Sequence, residues 1–251
     1  MEKELLSRYR FFLKDNIRKF IDFSRTDQNR GVLPPPLEKP YSDAAQRIEL
    51  VKPGAWQETG KIDLTTAIGQ RRSRRLFTRK LLSLEELSFL LWAVQGLREQ
   101  PVSYNAFRTV PSAGCRHALE TYLAVFNVQD LVPGLYRYLP ISHQLLLEHS
   151  PPDLAGKTIK AAFGQSFVGQ SAVTFIWTAL PYRMEWRYDL AAHKVIAIDA
   201  GHVCQNLYLA CEAIKAGTCA IAAYDQEEAD ALLGVDGEEE FVIYMAPVGK
   251  I

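Results

Sequence analysis

Few residues in this sequence are of the kinds that bind metals or catalyse reactions unaided. The four cysteines form no C-x-x-C pair and the five histidines show no H-E-x-x-H spacing, so neither a zinc site nor a disulfide framework is predicted. G-x-S-x-G, P-loop and G-x-G-x-x-G motifs are all missing, which leaves a serine hydrolase, an NTP site and a Rossmann dinucleotide site without support. A bound cofactor would therefore have to supply any reaction.

The chain also has no excess of charge and no long apolar run. Basic and acidic residues number 29 each, for a formal net charge of +0, which argues against a nucleic-acid partner because such domains usually carry a net basic field. No apolar run reaches membrane-spanning length, and the charged start Met1-Glu2-Lys3-Glu4 is unlike a signal peptide. We expect a cytoplasmic protein with no membrane partner.

The composition changes near residue 60. Residues 1–23 carry apolar side chains at steps of three and four, which predicts one amphipathic helix. From Ser24 to about Gly60 the chain is polar and broken by Pro34-Pro35-Pro36, as is typical of an extended arm without a core. Two regions are predicted: an N-terminal helix and Pro-rich arm over residues 1–60, appended to a folded domain over residues 61–251.

The folded domain mixes helices and strands without regular βαβ alternation, which predicts the α+β class. An S-x-x-E capping box at Ser83–Glu86 predicts the start of a helix. A second, near-continuously apolar helix is expected from Lys194 to Ala216, stopped by Gly217 and buried on several sides as in the centre of a dimer. Strands are predicted at Glu120–Val128, Gly134–Leu139, Gln144–Glu148, Ala172–Leu180, Thr218–Ala223 and Phe241–Val248.

The most distinctive stretch is RRSRRLF, from Arg71 to Phe77. Closely spaced guanidiniums with a Ser hydroxyl suit a dianionic phosphate, since Arg binds phosphate bidentately and keeps its charge. If the helix predicted over Leu64–Gln70 continues, Arg71 and Arg75 share one face. A solvated basic patch and a nucleic-acid contact are the alternatives, and the zero net charge favours one small phosphorylated ligand over the second of them.

Three further stretches have the composition of a binding site. In Pro111-Ser112-Ala113-Gly114, the glycine permits close approach of the main chain to a ligand. Small residues over Gly217–Asp225 would let an aromatic ring system lie flat, although a tightly packed internal strand has the same composition. Pro181–Tyr188 mixes aromatic side chains with arginine, which suits a stacking pocket; a surface turn is the alternative.

Taken in order, RRSRRLF, PSAGCRHALE and GHVCQNLYLACEAIKAGTCAIAAYD resemble the FMN-dependent nitroreductase superfamily, and within it the SagB-type dehydrogenases that include azoline oxidases. The resemblance covers about residues 62–250. It implies a central, mostly antiparallel sheet flanked by helices, an intertwined homodimer, and FMN at the subunit interface. It also implies ping-pong hydride transfer between NAD(P)H and a small nitroaromatic- or quinone-like acceptor at flavin N5, with no catalytic side chain.

The resemblance assigns roles by position. The FMN phosphate and ribityl chain would be held by Arg71, Arg72 and Ser73, with Lys250 adding charge near the phosphate and Arg75 reaching the pyrimidine edge of the ring. The other subunit would contact the flavin through Pro111, Ser112, Ala113, Gly114 and His117. Ala222 and Ala223 would lie against the ring, one giving its backbone N–H to N5. The expected acceptor pocket comprises Arg183, Trp186 and Tyr188.

Two other functions remain open at this point. An azoline oxidase would run the flavin in the opposite sense on a modified peptide, with oxygen reoxidising it. Dedicated members of that branch use a Lys-Tyr pair as base, whereas Lys194 here stands between His193 and Val195. A flavin-binding protein without turnover is the third possibility.

Overall fold

A seven-stranded sheet forms the centre of the molecule in the computed structural model, which describes residues 2–57 and 59–251. The strand order is β1-β4-β3-β2-β5-β7-β6, and all neighbouring strands are antiparallel. The strands are β1 Arg47–Glu49, β2 Leu119–Val125, β3 Gly134–Leu139, β4 Gln144–His149, β5 Val173–Ala179, β6 Ala216–Thr218 and β7 Phe241–Lys250.

Helices cover both faces of this sheet. They are α1 Glu2–Leu13, α2 Leu64–Gln70, α3 Leu84–Gln95, α4 Leu154–Ala161, α5 Tyr182–Tyr188, α6 Ala192–Ala213 and α7 Gln226–Leu233. Successive residues of β2 point into different cores, because side chains alternate along a strand. Leu123 and Val125 join the core under α3 and α6, while Tyr122 and Ala124 join the core under α4 and α7. The predicted α+β class, with its antiparallel sheet flanked by helices, is confirmed.

The predicted start of α3 is confirmed in detail. The Ser83 Oγ accepts the backbone N–H of Glu86 at 3.1 Å, and the Glu86 carboxylate accepts the backbone N–H of Ser83 at 2.9 Å. Both bonds satisfy amides that have no partner inside the helix. Behind this cap, Leu87, Leu90 and Val94 are fully buried, so α3 is fixed against the sheet.

The single helix predicted over residues 1–23 is wrong, because α1 ends at Leu13. Lys14 is extended at its ψ of 156°, and 3-10 helices follow at Asp15–Phe20 and Phe23–Arg25. The apolar spacing continues past Leu13, but tertiary contacts determine the backbone conformation. The Arg18 guanidinium lies 5.9 Å from the ring centroid of Tyr188, on α5. The chain must turn to reach that contact.

The Pro-rich arm contributes to the central sheet. Its strand β1 pairs with β4 at the edge of the sheet, and Leu50 is buried in the main core. Two buried arginines hold its main chain: Arg108 donates to Leu37 O at 3.0 Å, and Arg137 donates to Lys39 O at 2.8 Å. The arm therefore belongs to the same structure as the sheet. The division into two regions at residue 60 stays a prediction about domains.

The region after α6 differs from expectation as well. The helix ends at Ala213, Lys215 takes a left-handed φ of 52°, and Gly217 lies inside β6. The strand predicted over Thr218–Ala223 is reduced to the last residue of β6 and an isolated bridge at Ile221. A separate feature is that no helix within the described residues combines the length and apolarity needed to cross a membrane.

Candidate functional site

The arginine segment Arg71–Arg75 is extended. Helix α2 makes its last hydrogen bond from Arg71 N to Ala67 O at 3.1 Å, and Arg71 then takes an extended ψ of 124°. The helical continuation of the cluster, with Arg71 and Arg75 on one face, is therefore wrong. Instead the segment lies beside β6: Ser73 forms a parallel bridge with Thr218, and Arg74 N donates to Thr218 O at 2.9 Å.

The extended backbone sorts the four arginines into different environments. Arg74 turns inward, and its guanidinium is paired with the Glu212 carboxylate of α6. Arg71 lies over the ring of Tyr208, with 5.3 Å from its guanidinium carbon to the ring centroid. Arg72 and Arg75 are exposed, and neither forms an ion pair with a described residue. The segment thus presents two guanidiniums without an ion-pair partner and the Ser73 hydroxyl at the surface, and the guanidinium of Arg75 lies 5.9 Å from the ring centroid of Phe167.

Main-chain donors are available on the neighbouring stretch, Ala220–Ala223. Ala220 N donates to the Tyr208 hydroxyl at 2.8 Å, and Ile221 N donates to Met245 O at 2.8 Å. Ala222 and Ala223 are exposed, and among the described residues neither of their amides has a hydrogen-bond acceptor. An exposed methyl surface with unsatisfied N–H groups is suited to a flat ring that carries hydrogen-bond acceptors.

The turn from Pro111 to His117 has an unusual backbone. Gly114, Cys115 and His117 have positive φ angles of 58°, 58° and 47°, a conformation that is uncommon for residues other than glycine. The Ser112 Oγ accepts the backbone N–H of His117 at 2.9 Å and so closes the turn. Strained backbone of this kind concentrates at binding and active sites.

Gly114 is required by what lies over it. A Cβ at this position would stand 2.6 Å from the Tyr188 hydroxyl and 2.8 Å from Arg187 Cδ, both at the end of α5. The backbone of the turn therefore touches the end of α5 directly. This contact brings the predicted acceptor-pocket residue Tyr188 to the predicted flavin-contacting turn.

Sequence reasoning missed Arg116, which organises this turn. Its Nε donates to Gly114 O at 3.0 Å, its Nη2 donates to Asn105 Oδ1 at 2.8 Å, and its guanidinium lies 5.2 Å from the ring centroid of Trp186. The guanidinium thus connects the turn, the preceding loop and α5. The available signal was a lone arginine inside PSAGCRH, and its partners are spread too widely in sequence to be recognised.

The side chain of His117 is buried and uncharged at neutral pH. Burial, helped by the nearby Arg108, lowers the pKa of His117 to about 2. Its Nε2 lies 3.7 Å from Cys115 Sγ. A neutral ring suits the interior of a strained turn, since a charged one would be desolvated beside several arginines.

Helix α6 supports the same turn through Asp199. Burial raises the pKa of Asp199, while hydrogen bonds from the Ser112 hydroxyl and the Ala113 amide oppose the rise. The Oδ2 atom of Asp199 is buried without a partner in the described residues. This carboxyl was not among the residues predicted for the site, because on sequence it is one polar position in an apolar helix.

The three residues predicted for the acceptor pocket have different surroundings. Arg183 is buried, with Nη2 donating to Glu120 Oε1 at 2.5 Å. Trp186 is buried and donates from Nε1 to Val32 O at 3.0 Å. Only Tyr188 is half-exposed, at the turn over Gly114. Their stretch is the helix α5, so the surface-turn alternative is wrong; a role toward an acceptor stays a prediction.

Lys250, expected near a phosphate, has partners of its own. Its ammonium group binds the Glu86 carboxylate at the start of α3 and donates to Ile214 O at 2.6 Å. Glu86 therefore accepts from both the α3 cap and the end of β7. A direct phosphate contact from Lys250 stays a prediction, and within the chain its charge is already neutralised.

The turn from Pro111 to His117 and the arginine segment contact opposite faces of α6. Asp199 contacts the turn at Ser112, whereas Tyr208, on the same helix, contacts the arginine segment at Ser73. At 3.6 residues per turn, the separation from Asp199 to Tyr208 rotates the helix by about two and a half turns and advances it by roughly 14 Å. Within one copy of the chain, the turn and the arginine segment therefore face different directions.

Part of α6 is not covered by any other described residue of the chain. Ala197, Ile198, Gly201 and Gln205 form an exposed stripe, and Tyr208 continues the same face toward the arginine segment. The rest of the helix is buried against its own subunit, including Ile196, Val203 and Leu207. Its apolar composition is thus mostly explained within one chain, and the surface left for a partner is narrower than the sequence suggested.

Comparison with known proteins identifies relatives of this arrangement. A family model described as the Nitroreductase family matches residues 68–250. A protein of Methanocaldococcus jannaschii that is named as a nitroreductase, MJ1384, is 29% identical over 190 residues, which cover 76% of this chain and 92% of that protein.

Solved structures agree with the sequence matches. A structure from Ralstonia eutropha, described as a nitroreductase, aligns with a TM-score of 0.68 and 26% identity over 87% of this chain and 94% of that one. The Escherichia coli microcin synthetase complex McbBCD, solved with truncated pro-MccB17 bound, aligns with a TM-score of 0.60 over 80% of this chain and 77% of that one. At 19% identity, the second similarity is one of fold.

Proposed function

Because this chain belongs to the nitroreductase family, we propose that it is an FMN-dependent oxidoreductase that transfers hydride between NAD(P)H and a small organic acceptor of nitroaromatic or quinone type. The observation that carries the proposal is that Ser73, between the exposed Arg72 and Arg75, bridges Thr218 shortly before the unsatisfied amides of Ala222 and Ala223. Cations and a hydroxyl suit a phosphate, and unsatisfied amides on a flat surface suit a flavin ring.

The phosphate end of the cofactor is assigned to the arginine segment. Arg72 and Ser73 are free to donate, Arg71 is held over Tyr208 in the same segment, and Arg74 is neutralised by Glu212. The guanidiniums of Arg71, Arg72 and Arg75 thus remain for the ligand. Lys250 has a weaker claim than the resemblance suggested, since Glu86 already holds it.

The ring end is assigned to the residues whose donors are unsatisfied. FMN, when bound, supplies the hydride chemistry that no side chain here provides. Arg75 would place a fixed cation at the pyrimidine edge, where negative charge accumulates, and preorganised charge of this kind stabilises the charged state. The amide of Ala222 or Ala223 would orient the ring through N5. Tyr188, half-exposed over Gly114, is the residue we retain for contact with the acceptor.

We assign the complete site to a homodimer. Ser112 and Ser73 contact opposite faces of α6, so a small ligand that touches both must take them from two copies of the chain. The exposed stripe at Ile198 and Gly201 would pack against the second copy of the chain and end at the arginine segment of that second copy. FMN bound only to the assembled form would then stabilise the dimer by mass action.

The cofactor assignment predicts that the purified protein is yellow and releases FMN rather than FAD on denaturation. Replacing Arg72 by Ala should weaken FMN binding by about 10- to 100-fold, because a charge-assisted hydrogen bond contributes about 1.5–3 kcal/mol. Arg79→Ala is the matched control, as Arg79 is an exposed arginine of the same basic stretch. Affinities come from quenching of flavin fluorescence. A colourless protein that does not take up FMN contradicts the proposal.

The reaction direction is tested by rapid mixing with NADH and NADPH. Loss of flavin absorbance at a rate that saturates with one of the two donors, followed by recovery with a quinone, supports the reductase assignment. Double-reciprocal plots of the steady-state rate at different acceptor concentrations should give parallel lines, as expected for ping-pong kinetics. Absorbance that neither donor changes removes the reductase assignment.

The fold similarity to the microcin complex supports one second candidate. That complex is described with a pro-peptide bound, so an azoline oxidase activity on a modified peptide is the alternative for this chain. It requires the same cofactor site but an oxygen-dependent reaction in place of NAD(P)H oxidation. Oxygen consumption with an azoline-containing peptide, without NAD(P)H, would favour it.

The dimer is tested by Ile198→Glu. Ile198 is 48% exposed in one chain, so a carboxylate there should leave the protomer folded while charging the proposed interface. Sedimentation should show a dimer for the wild type and a monomer with weaker FMN binding for the variant. Val132→Glu, at a more exposed apolar position between β2 and β3, should remain dimeric. A variant that stays dimeric and holds FMN normally places the interface elsewhere.

A further inference from the structure

Three polar groups form a hydrogen-bonded chain beneath the arginine segment. Ala220 N lies 2.8 Å from the Tyr208 hydroxyl oxygen, and that oxygen lies 2.9 Å from Ser73 Oγ. Tyr208 projects from α6 and is buried, while Ser73 is exposed. The hydrogen bonds therefore run from the half-buried Ala220, through one buried hydroxyl, to the surface beside the exposed Arg72 and Arg75.

The donors and acceptors in this series of hydrogen bonds follow from the Ala220 amide. A backbone N–H can only donate, so the Tyr208 oxygen accepts from Ala220. The single Tyr208 proton then needs an acceptor, and Ser73 Oγ is the acceptor that the described residues provide. If Ser73 donated instead, the buried Tyr208 proton would have no partner, which is unfavourable. Tyr208 therefore donates to Ser73.

The consequence for Ser73 is a proton that points away from the protein. Its oxygen accepts from Tyr208, and its own O–H is left for a ligand at the surface. Arg72 and Arg75, on either side along the segment, are exposed, and Arg74 is paired with Glu212. An anion placed between these cations would meet the Ser73 hydroxyl as a donor.

Resting on the proposed function, we propose that Tyr208 is a positioning residue for the FMN phosphate: it orients the Ser73 proton outward and ties the arginine segment to Ala220. It touches neither the phosphate nor the ring. Because its effect passes through a phosphate donor, it should set the preference of the site for FMN over riboflavin, which has the same ring and no phosphate.

The decisive variant is Tyr208→Phe, which removes one oxygen and keeps the ring under Arg71. FMN affinity should fall about tenfold, within the range for one hydrogen bond to a charged group, while riboflavin affinity stays within about twofold. Ser73→Ala should show the same selective loss. The double variant should lose no more than the larger single effect, since both act through one donor. Titration by flavin fluorescence quenching measures the affinities of the wild type and the three variants for both ligands.

A matched control separates this role from general destabilisation. Tyr136→Phe also removes a buried tyrosine hydroxyl, which donates to Val132 O at 2.8 Å; Tyr136 lies on β3, which β2, β5 and β7 separate from β6. Its ratio of FMN to riboflavin affinity should equal that of the wild type. Thermal denaturation of each apoprotein checks folding; if Tyr208→Phe is unfolded, Ser73→Ala with the two ligands decides.

The outcomes distinguish the two levels of the proposal. Wild type that binds neither flavin contradicts the proposed function itself. Wild type that binds FMN, with Tyr208→Phe equal to it or equally weakened for both ligands, overturns the positioning role and leaves the FMN assignment intact. Additive losses in the double variant also overturn it, because they mean that Tyr208 and Ser73 act independently.

Discussion

Chemically identical residues in one short segment have different roles here. Arg74 is neutralised by Glu212, Arg71 lies over an aromatic ring, and Arg72 and Arg75 reach solvent. Helix α2 ends at Gln70 and the segment then runs extended beside β6, so its four arginines do not share one helix face. The inward-facing residue fixes the segment, and its neighbours are left free for a ligand.

His117 shows how one buried side chain makes stability depend on pH. Its pKa is lowered to about 2 by burial and by Arg108, against roughly 6.5 in the unfolded chain. Below pH 6.5 the unfolded state therefore binds a proton that the folded state does not, so stability falls as the pH falls. Between pH 7 and pH 5 this residue should remove about 2 kcal/mol from the free energy of unfolding.

The measurement is urea unfolding at both pH values. His117→Gln should flatten the dependence by about 2 kcal/mol, whatever it does to stability at pH 7. His143, whose pKa burial also lowers, contributes in the same direction and accounts for part of the slope that remains. An unchanged slope in His117→Gln would show that the histidine titrates normally.

At the scale of elements, β6 is the support against which the arginine segment is held. It is short, and Gly217 at its centre has Arg74 and Ile251 directly against its backbone. The absence of a side chain there, rather than a need for an unusual φ, explains the glycine. A short strand without bulk lets the arginine segment lie along it and form the bridge at Ser73.

Gly217→Ala tests this close approach. The added Cβ would lie 2.8 Å from Arg74 Cβ and from Ile251 Cγ2, so one of them must move, and overpacking of this kind costs about 1–3 kcal/mol. Urea denaturation should show this loss together with weaker FMN binding. Gly69→Ala in α2 is the control: nothing lies within 4 Å of its Cβ, so it should stabilise by about 0.5–1 kcal/mol. Equal effects at the two positions would contradict the packing argument.

At the scale of the whole molecule, the arm completes a buried network of charges. Lys39 pairs with Glu240 and its backbone N–H donates to Glu120 at 2.9 Å. Glu120 also accepts from Arg183, which starts α5. The network thus runs from the arm, through the sheet, to the helix that packs on Gly114. Charges buried in this way are costly when one partner is removed.

Two truncations test the arm. Removing residues 2–13 takes away α1, whose Leu5, Tyr9 and Leu13 are largely exposed, and should lower the midpoint of thermal unfolding by only a few degrees. Removing residues 2–45 also deletes the carbonyl oxygens that accept from Arg108 and Arg137. Breaking such a network costs about 3–5 kcal/mol or more, so cooperative unfolding should be lost. A longer truncation that melts like the full chain would show that these contacts of the arm contribute little to stability.

Much of this architecture was predictable because its signals are local. Alternation and turn residues located the strands, with Gly134–Leu139 predicted at its observed bounds. The capping box placed the start of α3, and small residues marked the stretch that ends in free amides at Ala222 and Ala223. Arg116 and Asp199 were missed because single polar residues carry no periodic signal. Helix ends at Leu13 and Ala213 were misplaced because apolar spacing continues beyond them.

The sequence by itself determined the class and the order of elements, and it suggested the stretches proposed for ligand binding, since these depend on residues close together in the chain. The tertiary structure alone decided which arginine of the segment is neutralised and where the arm joins the sheet. It also decided which face of α6 contacts the turn at Ser112 and which contacts the arginine segment. Arg74 finds Glu212 across 138 residues, and Lys39 finds Glu240 across 201. Such pairings form because the fold brings distant segments together. The residues around a charged side chain in the sequence do not indicate which partner folding will place beside it.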